Sequence, residues 1–179
     1  MMNKVFEIIE AKKIFDLDYN KLDILVHPSS YVHAIIKFKD GMIKIIAHDT
    51  NMKIPIFNSL YDNQHKNIQS DQLNLKKLNS LNLKQVDTNK FPSIKIIKRL
   101  QNKESLLETI IVLANDELVN LFLLKKINFT DITYFLQRLI YMKEFKTLEK
   151  ALVEKNKSIT NNNLINFINS MIKIYLFFF

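Results

Sequence analysis

Three residues near the start of the chain have types and spacing suited to an anionic, oxygen-rich ligand: Asn3, Lys4 and Glu7. On a helix they span an arc of roughly 100°. Asn3 and Glu7, four apart, share one side, with Lys4 beside them. Asn both donates and accepts, and Lys brings a compact positive charge. Glu offers hard carboxylate oxygens of the kind that Mg2+ or Mn2+ takes. A helix N-terminus adds free backbone N–H groups and a dipole that attract anions. Spacing alone still favours an ordinary solvated helix face.

Two other stretches carry chemistry-bearing side chains. In His27-Pro28-Ser29-Ser30-Tyr31-Val32-His33, Ser30 and His33 flank the start of a strand, within reach of one polar ligand. A lone His on a half-buried strand is more often structural, and no sequence rule makes these residues a Ser-His-Asp triad. In Asn51-Met52-Lys53-Ile54-Pro55-Ile56, Met52 is flexible and polarisable enough to pack over a flat ring. Ordinary apolar filling is the simpler reading there.

The elements that must position these groups follow from periodicity. Residues 2–15 form a helix with Met2, Val5, Phe6, Ile8, Ile9 and Phe15 on its apolar face. LDILVHP reads as a buried strand stopped by Pro28. SYVHAIIKF and MIKIIA, joined by Lys39-Asp40-Gly41, form a β-hairpin whose turn uses the only glycine of the chain. Alternation puts Val32, Ala34, Ile36 and Phe38 on one face and Tyr31, His33, Ile35 and Lys37 on the other. Pro55 opens a short helix through Leu60.

Residues 62–90, rich in polar side chains, read as an irregular connector. Beyond Phe91-Pro92 helices are expected near 92–100, 105–125, 131–143, 145–155 and 162–177. Thr130 is the expected cap of the third, with Phe129 stapled to Tyr134. The fold class is therefore α+β: the C-terminal part of an α/β catalytic domain (helix, strands, β-hairpin), followed by an all-α helical bundle.

Composition sets the outer limits. With 179 residues, 47% hydrophobic and 25% charged, the chain has ordinary globular make-up. It is long enough to bury roughly 70% of the surface its unfolded form exposes. The absence of cysteine excludes disulfides and cysteine-ligated metal centres. His27, His33, His48 and His65 show no metal-ligand spacing. A single glycine cannot write a G-x-G-x-x-G or G-x-x-x-x-G-K-[ST] loop, so the chain carries no glycine-loop dinucleotide fold. The net charge of +8 comes from lysines in singles and pairs, without the clustered basic face of a nucleic-acid binder. The N-terminus has no apolar run of signal-peptide type. The C-terminal LINFINSMIKIYLFFF is interrupted by Asn166, Asn169 and Lys173 and reads as a packed last helix, not a membrane anchor.

In order, these weak signals resemble 1-deoxy-D-xylulose 5-phosphate reductoisomerase. The resemblance rests on Met2-Asn3-Lys4 with Glu7, Ile9, Glu10 and Ala11; Ile14-Phe15; His27-Pro28-Ser29-Ser30 with His33; and Asp40-Gly41. It continues through Met52 with Pro55-Ile56, Phe91-Pro92, and Ala114-Asn115-Asp116, covering roughly residues 2–143. The chain departs from the family pattern at Thr50-Asn51, Lys53, Ser93 and Val112-Leu113. Lys53 replaces an Arg and so lacks its planar fork.

The resemblance implies a metal-dependent, NADPH-dependent enzyme of non-mevalonate isoprenoid biosynthesis. A sugar phosphate, chelated by Mg2+ or Mn2+, rearranges and is then reduced to 2-C-methyl-D-erythritol 4-phosphate. By that analogy Glu7 is a catalytic metal ligand, Asn3, Lys4 and Ser30 bind substrate, His33 is catalytic in the same pocket, and Met52 packs near the nicotinamide. Residues 1–61 would be the C-terminal part of the catalytic domain, 62–90 a connector and 91–179 a C-terminal helical domain.

The NADPH domain and the other metal carboxylates would lie upstream, so the isolated chain is expected to be inactive. The resemblance also implies a homodimer, or pairing with a missing N-terminal half, in bacterial cytoplasm or plastid stroma, with no nucleic-acid or membrane partner. The alternative is a non-catalytic helical interaction module, or a relic of that enzyme.

Overall fold

The computed structural model describes residues 1–61, 67–100, 102 and 106–142. The helices expected near 145–155 and 162–177 lie outside the described residues. The architecture is α+β, with two compact units: Met1–Asp23 together with Asp87–Phe179, and Ile24–Val86.

The first unit is helical. Helix α1 (Met2–Phe15) buries Val5 and Ile8. It ends at Asp16, whose left-handed backbone (φ 49°, ψ 48°) returns its N–H to the Lys12 carbonyl, closing the C-terminus. Only part of the expected apolar face is covered, for Phe15 stays exposed at the last turn. The segment Pro92–Arg99 is helical as expected but wound as a 3-10 helix, which places Ser93 and Ile96 inside. Both α1 and the later helix Phe129–Tyr141 pack on it.

Helix α4 (Leu107–Leu123) buries Leu107, Ile110, Ile111, Ala114, Leu118 and Leu121, a spacing of three and four that keeps one face inward. It packs against α5 (Phe129–Tyr141), which buries Ile132, Leu136, Leu139 and Ile140. Burying side chains such as Ile110, Ile111, Leu118 and Leu136 contributes about 1.5–3 kcal/mol each.

The start of α5 differs from expectation. Its cap is Asn128, not Thr130: the Asn128 side chain accepts from the Asp131 N–H, and Asp131 Oδ2 accepts from the Asn128 N–H at 2.8 Å. Phe129 is therefore the first helical residue. It is exposed and meets Phe122 edge to face at 5.8 Å, so no staple to Tyr134 forms. The buried pair Ile127 and Ile132 occupies the staple positions of the true cap instead.

The second unit holds two small antiparallel sheets. Strand β1 (Leu25–Val26) is only two residues long and leaves Leu25 exposed, so LDILVHP is not the buried strand expected. It pairs with β4 (Lys84–Gln85). That strand and helix α3 (Leu75–Asn79) lie in the stretch expected as an irregular connector. The α3 start is capped by the Asn74 side chain, which accepts from the Lys77 N–H.

Strands β2 (Val32–Lys37) and β3 (Ile43–Ala47) form the hairpin. The Phe38 N–H donates to the Met42 carbonyl and the Gly41 N–H to the Phe38 carbonyl. Gly41, at φ 90°, takes the left-handed position of a three-residue loop. Helix α2 (Lys53–Leu60) starts two residues before Pro55, which sits harmlessly in its first turn.

Candidate functional site

In the first unit the first two turns of α1 bring the Asn3, Lys4 and Glu7 side chains together. Asn3 Nδ2 donates to Glu7 Oε1 at 2.7 Å, and Lys4 Nζ donates to Glu7 Oε2 at 2.6 Å. Helical spacings of four and three produce these contacts directly. Each carboxylate oxygen thus has one donor. The group is open to solvent, with the Lys4 and Glu7 side chains 48% and 45% exposed, so an incoming ligand can reach all three. Lys4 uses one of its three N–H donors on Glu7, leaving the ammonium able to meet an anionic oxygen at the same time.

The carboxylate is a chemically apt hard ligand, but Mg2+ and Mn2+ sites need several such oxygens. Among the described residues no group of three or more His, Cys, Asp or Glu side chains could hold a metal ion. The described residues therefore do not make a complete metal site. Glu7 offers one hard oxygen ligand, fewer than such a site requires.

In the second unit Ser30 closes a tight turn after Pro28, its N–H donating to the His27 carbonyl at 3.0 Å. Its φ of 49° is uncommon for a residue with a side chain. Ser29 Oγ lies 2.6 Å from His27 Nε2, while His27 Nδ1 is buried without a partner among the described residues.

His33 begins the hairpin where the strand register shifts, and its ring stacks on His48 with centroids 3.6 Å apart and planes 7° from parallel. Met52 caps α2 and is 68% exposed, so its thioether is presented outward and is not the core filler of the simpler reading. Asn51 Oδ1 accepts from the Lys53 N–H at 3.0 Å and steadies the loop under it.

The structure thus joins Asn3, Lys4 and Glu7 into one hydrogen-bonded cluster. It places Ser30, His33 and Met52 in the other unit, each on a turn or strand end. His48 and the ion pair between Lys77 Nζ and Asp49 Oδ1 (2.9 Å) went unnoticed in the motifs. The hairpin register was the available signal, since a three-residue loop at 39–41 sets residues 47 and 48 across from 31 to 33. Among the described residues no helix is long and apolar enough to cross a membrane.

A family model described as the DXP reductoisomerase C-terminal domain matches residues 48–164. The 1-deoxy-D-xylulose 5-phosphate reductoisomerase of Pelagibacter ubique is 53% identical over 163 residues, covering 91% of this chain and 42% of the relative. That of Aquifex aeolicus is 34% identical over 138 residues, covering 77% of this chain and 36% of its own length.

Among solved structures, the Zymomonas mobilis reductoisomerase in complex with NADPH superposes with a TM-score of 0.73 at 25% identity. That match covers 95% of this chain and 42% of that one. A reductoisomerase with fosmidomycin and magnesium gives 0.77 at 25% identity, covering 98% of this chain and 43% of that one. The chain spans about two fifths of the length of the relatives it matches.

Proposed function

The chain belongs to the 1-deoxy-D-xylulose 5-phosphate reductoisomerase family, and on that premise we propose that it is the C-terminal part of such an enzyme. The reaction is the metal-dependent rearrangement of a sugar phosphate, followed by NADPH reduction to 2-C-methyl-D-erythritol 4-phosphate. The observation that carries this reading is the cluster at the start of α1, where Glu7 is gripped by Asn3 and Lys4 in the open.

In the working site Glu7 gives one carboxylate to Mg2+ or Mn2+. Asn3 orients a substrate hydroxyl, because its amide can donate and accept at once. Lys4 neutralises a phosphate or hydroxyl oxygen. By the family resemblance Ser30 offers a hydroxyl to substrate, and His33 exchanges or holds a proton. Met52 lays its thioether against the nicotinamide ring. Holding these groups fixed before substrate arrives is their main contribution.

In this reading residues 1–61 work with the catalytic domain, 62–90 connect, and 91–179 form the helical end. The enzyme acts as a homodimer in the cytoplasm. The dimer is supported by the bare apolar side chains of both hairpin strands, among them Ile35, Ile36, Ile43, Ile45 and Ile46. The test is NADPH oxidation with substrate and Mg2+: the complete enzyme turns over, and the isolated 179-residue chain does not. Turnover by the isolated chain would overturn the assignment of the remaining metal ligands and the NADPH site to the N-terminal part.

A further inference from the structure

His33 is held by a second histidine that no motif singled out, and we propose that His48 is a positioning residue for it, fixing the orientation and tautomer of the His33 ring. The proposal rests on the reading of His33 as a pocket residue. His33 lies at the slip in the hairpin: Val32 faces Ala47, whereas Ala34 faces Ile46. One extra residue is thereby accommodated on β2, and a bulge of this kind re-aims a side chain.

The re-aimed ring meets two groups of His48. Its face lies on the His48 imidazole, 3.6 Å between centroids and 7° from parallel. Its Nε2 lies 3.2 Å from the His48 carbonyl oxygen. A carbonyl only accepts, so Nε2 carries the proton and Nδ1 is the acceptor nitrogen of the neutral ring. The same argument applies to His48, whose Nδ1 lies 2.6 Å from the Asp49 carbonyl oxygen and must donate to it.

The peptide that orders both rings is itself tied down. The His48 N–H donates to the Tyr31 carbonyl at 3.1 Å. The Asp49 carboxylate pairs with Lys77 at 2.9 Å, and Lys77 Nζ stands 5.3 Å from the centroid of the Tyr31 ring. His33 therefore offers a substrate one defined nitrogen.

The experiment is nitrogen-15 histidine NMR on the full chain between about pH 5 and 8, with His48→Ala and His48→Phe beside it. The expected result for the unaltered chain is a single Nε2–H tautomer of His33 and ring-proton signals displaced by the stacked ring. His48→Ala should erase the displacement and loosen the ring, while the residue-48 carbonyl keeps the Nε2–H tautomer. His48→Phe keeps a flat ring, and with it the fold, the displacement and the single tautomer. His33 signals that are the same in His48→Ala as in the unaltered chain would overturn the proposal.

In the complete enzyme, His48→Ala should lower kcat/KM by about tenfold and move its pH profile, with His48→Phe restoring the rate. If His33→Ala leaves turnover unchanged while the NMR stack is present, it is the pocket reading of His33 that fails, and the catalytic sense of the proposal fails with it.

Discussion

The Tyr19 hydroxyl donates a 2.8 Å hydrogen bond to Glu108 Oε1, and both side chains are buried. The Tyr19 N–H also donates to Asn102 Oδ1 at 2.8 Å, so the segment after α1 is pinned to the start of α4 through one residue. Removing the hydroxyl leaves the carboxylate without that donor in a buried site. Tyr19→Phe should cost about 1–3 kcal/mol in denaturant unfolding.

The same contact makes a pH prediction. Burial, and then the hydrogen bond and charge of Glu108, push the Tyr19 hydroxyl well above its ordinary value of 10.0. The folded state thus keeps a proton that the unfolded chain gives up. The stability from this group is fully present below about pH 10 and is lost as pH climbs above it. The stability difference between the unaltered chain and Tyr19→Phe should therefore shrink from pH 9 to 11. A constant difference across that range would contradict the assignment of the proton.

Leu118 is buried on α4 with no exposed surface. Leu118→Ala should destabilise the helical unit by about 2–5 kcal/mol, read from the midpoint of chemical unfolding. Leu123, 69% exposed on the same helix, should tolerate alanine with a change within about 0.5 kcal/mol.

At Gly41 an added Cβ would meet nothing within 4 Å, so any penalty comes from the backbone alone. With φ at 90°, Gly41→Ala should cost about 1–3 kcal/mol. Faster amide exchange at Phe38 and in β3, with α4 unaffected, is the signature to look for.

Local rules made much of this fold legible. The length of α1, the Asp40-Gly41 loop and the buried stripe of α4 all follow from spacing and turn chemistry within a few residues. The strand failures are non-local. β1 and β4 are two residues each and pair across a long stretch of sequence, so neither carries an alternating pattern. The cap of α5 was misjudged because Asn128 and Thr130 are both good caps. Asn128 wins because Asp131 then falls at the third helical position and Ile127 and Ile132 face inward. Of the candidate site, the α1 cluster needed only helical geometry. The His33–His48 stack depends on a register slip that alternation does not encode.

The most direct test of the central claim is NADPH oxidation by the complete enzyme carrying this chain, with Glu7 intact and as Glu7→Gln, across a Mg2+ titration. Glutamine keeps the hydrogen bond from Lys4 or Asn3 in part but loses the anionic oxygens. A loss of turnover of about 100-fold and a higher Mg2+ requirement are expected, with the helical unit equally stable. Turnover and Mg2+ dependence equal to those of the unaltered enzyme would contradict it.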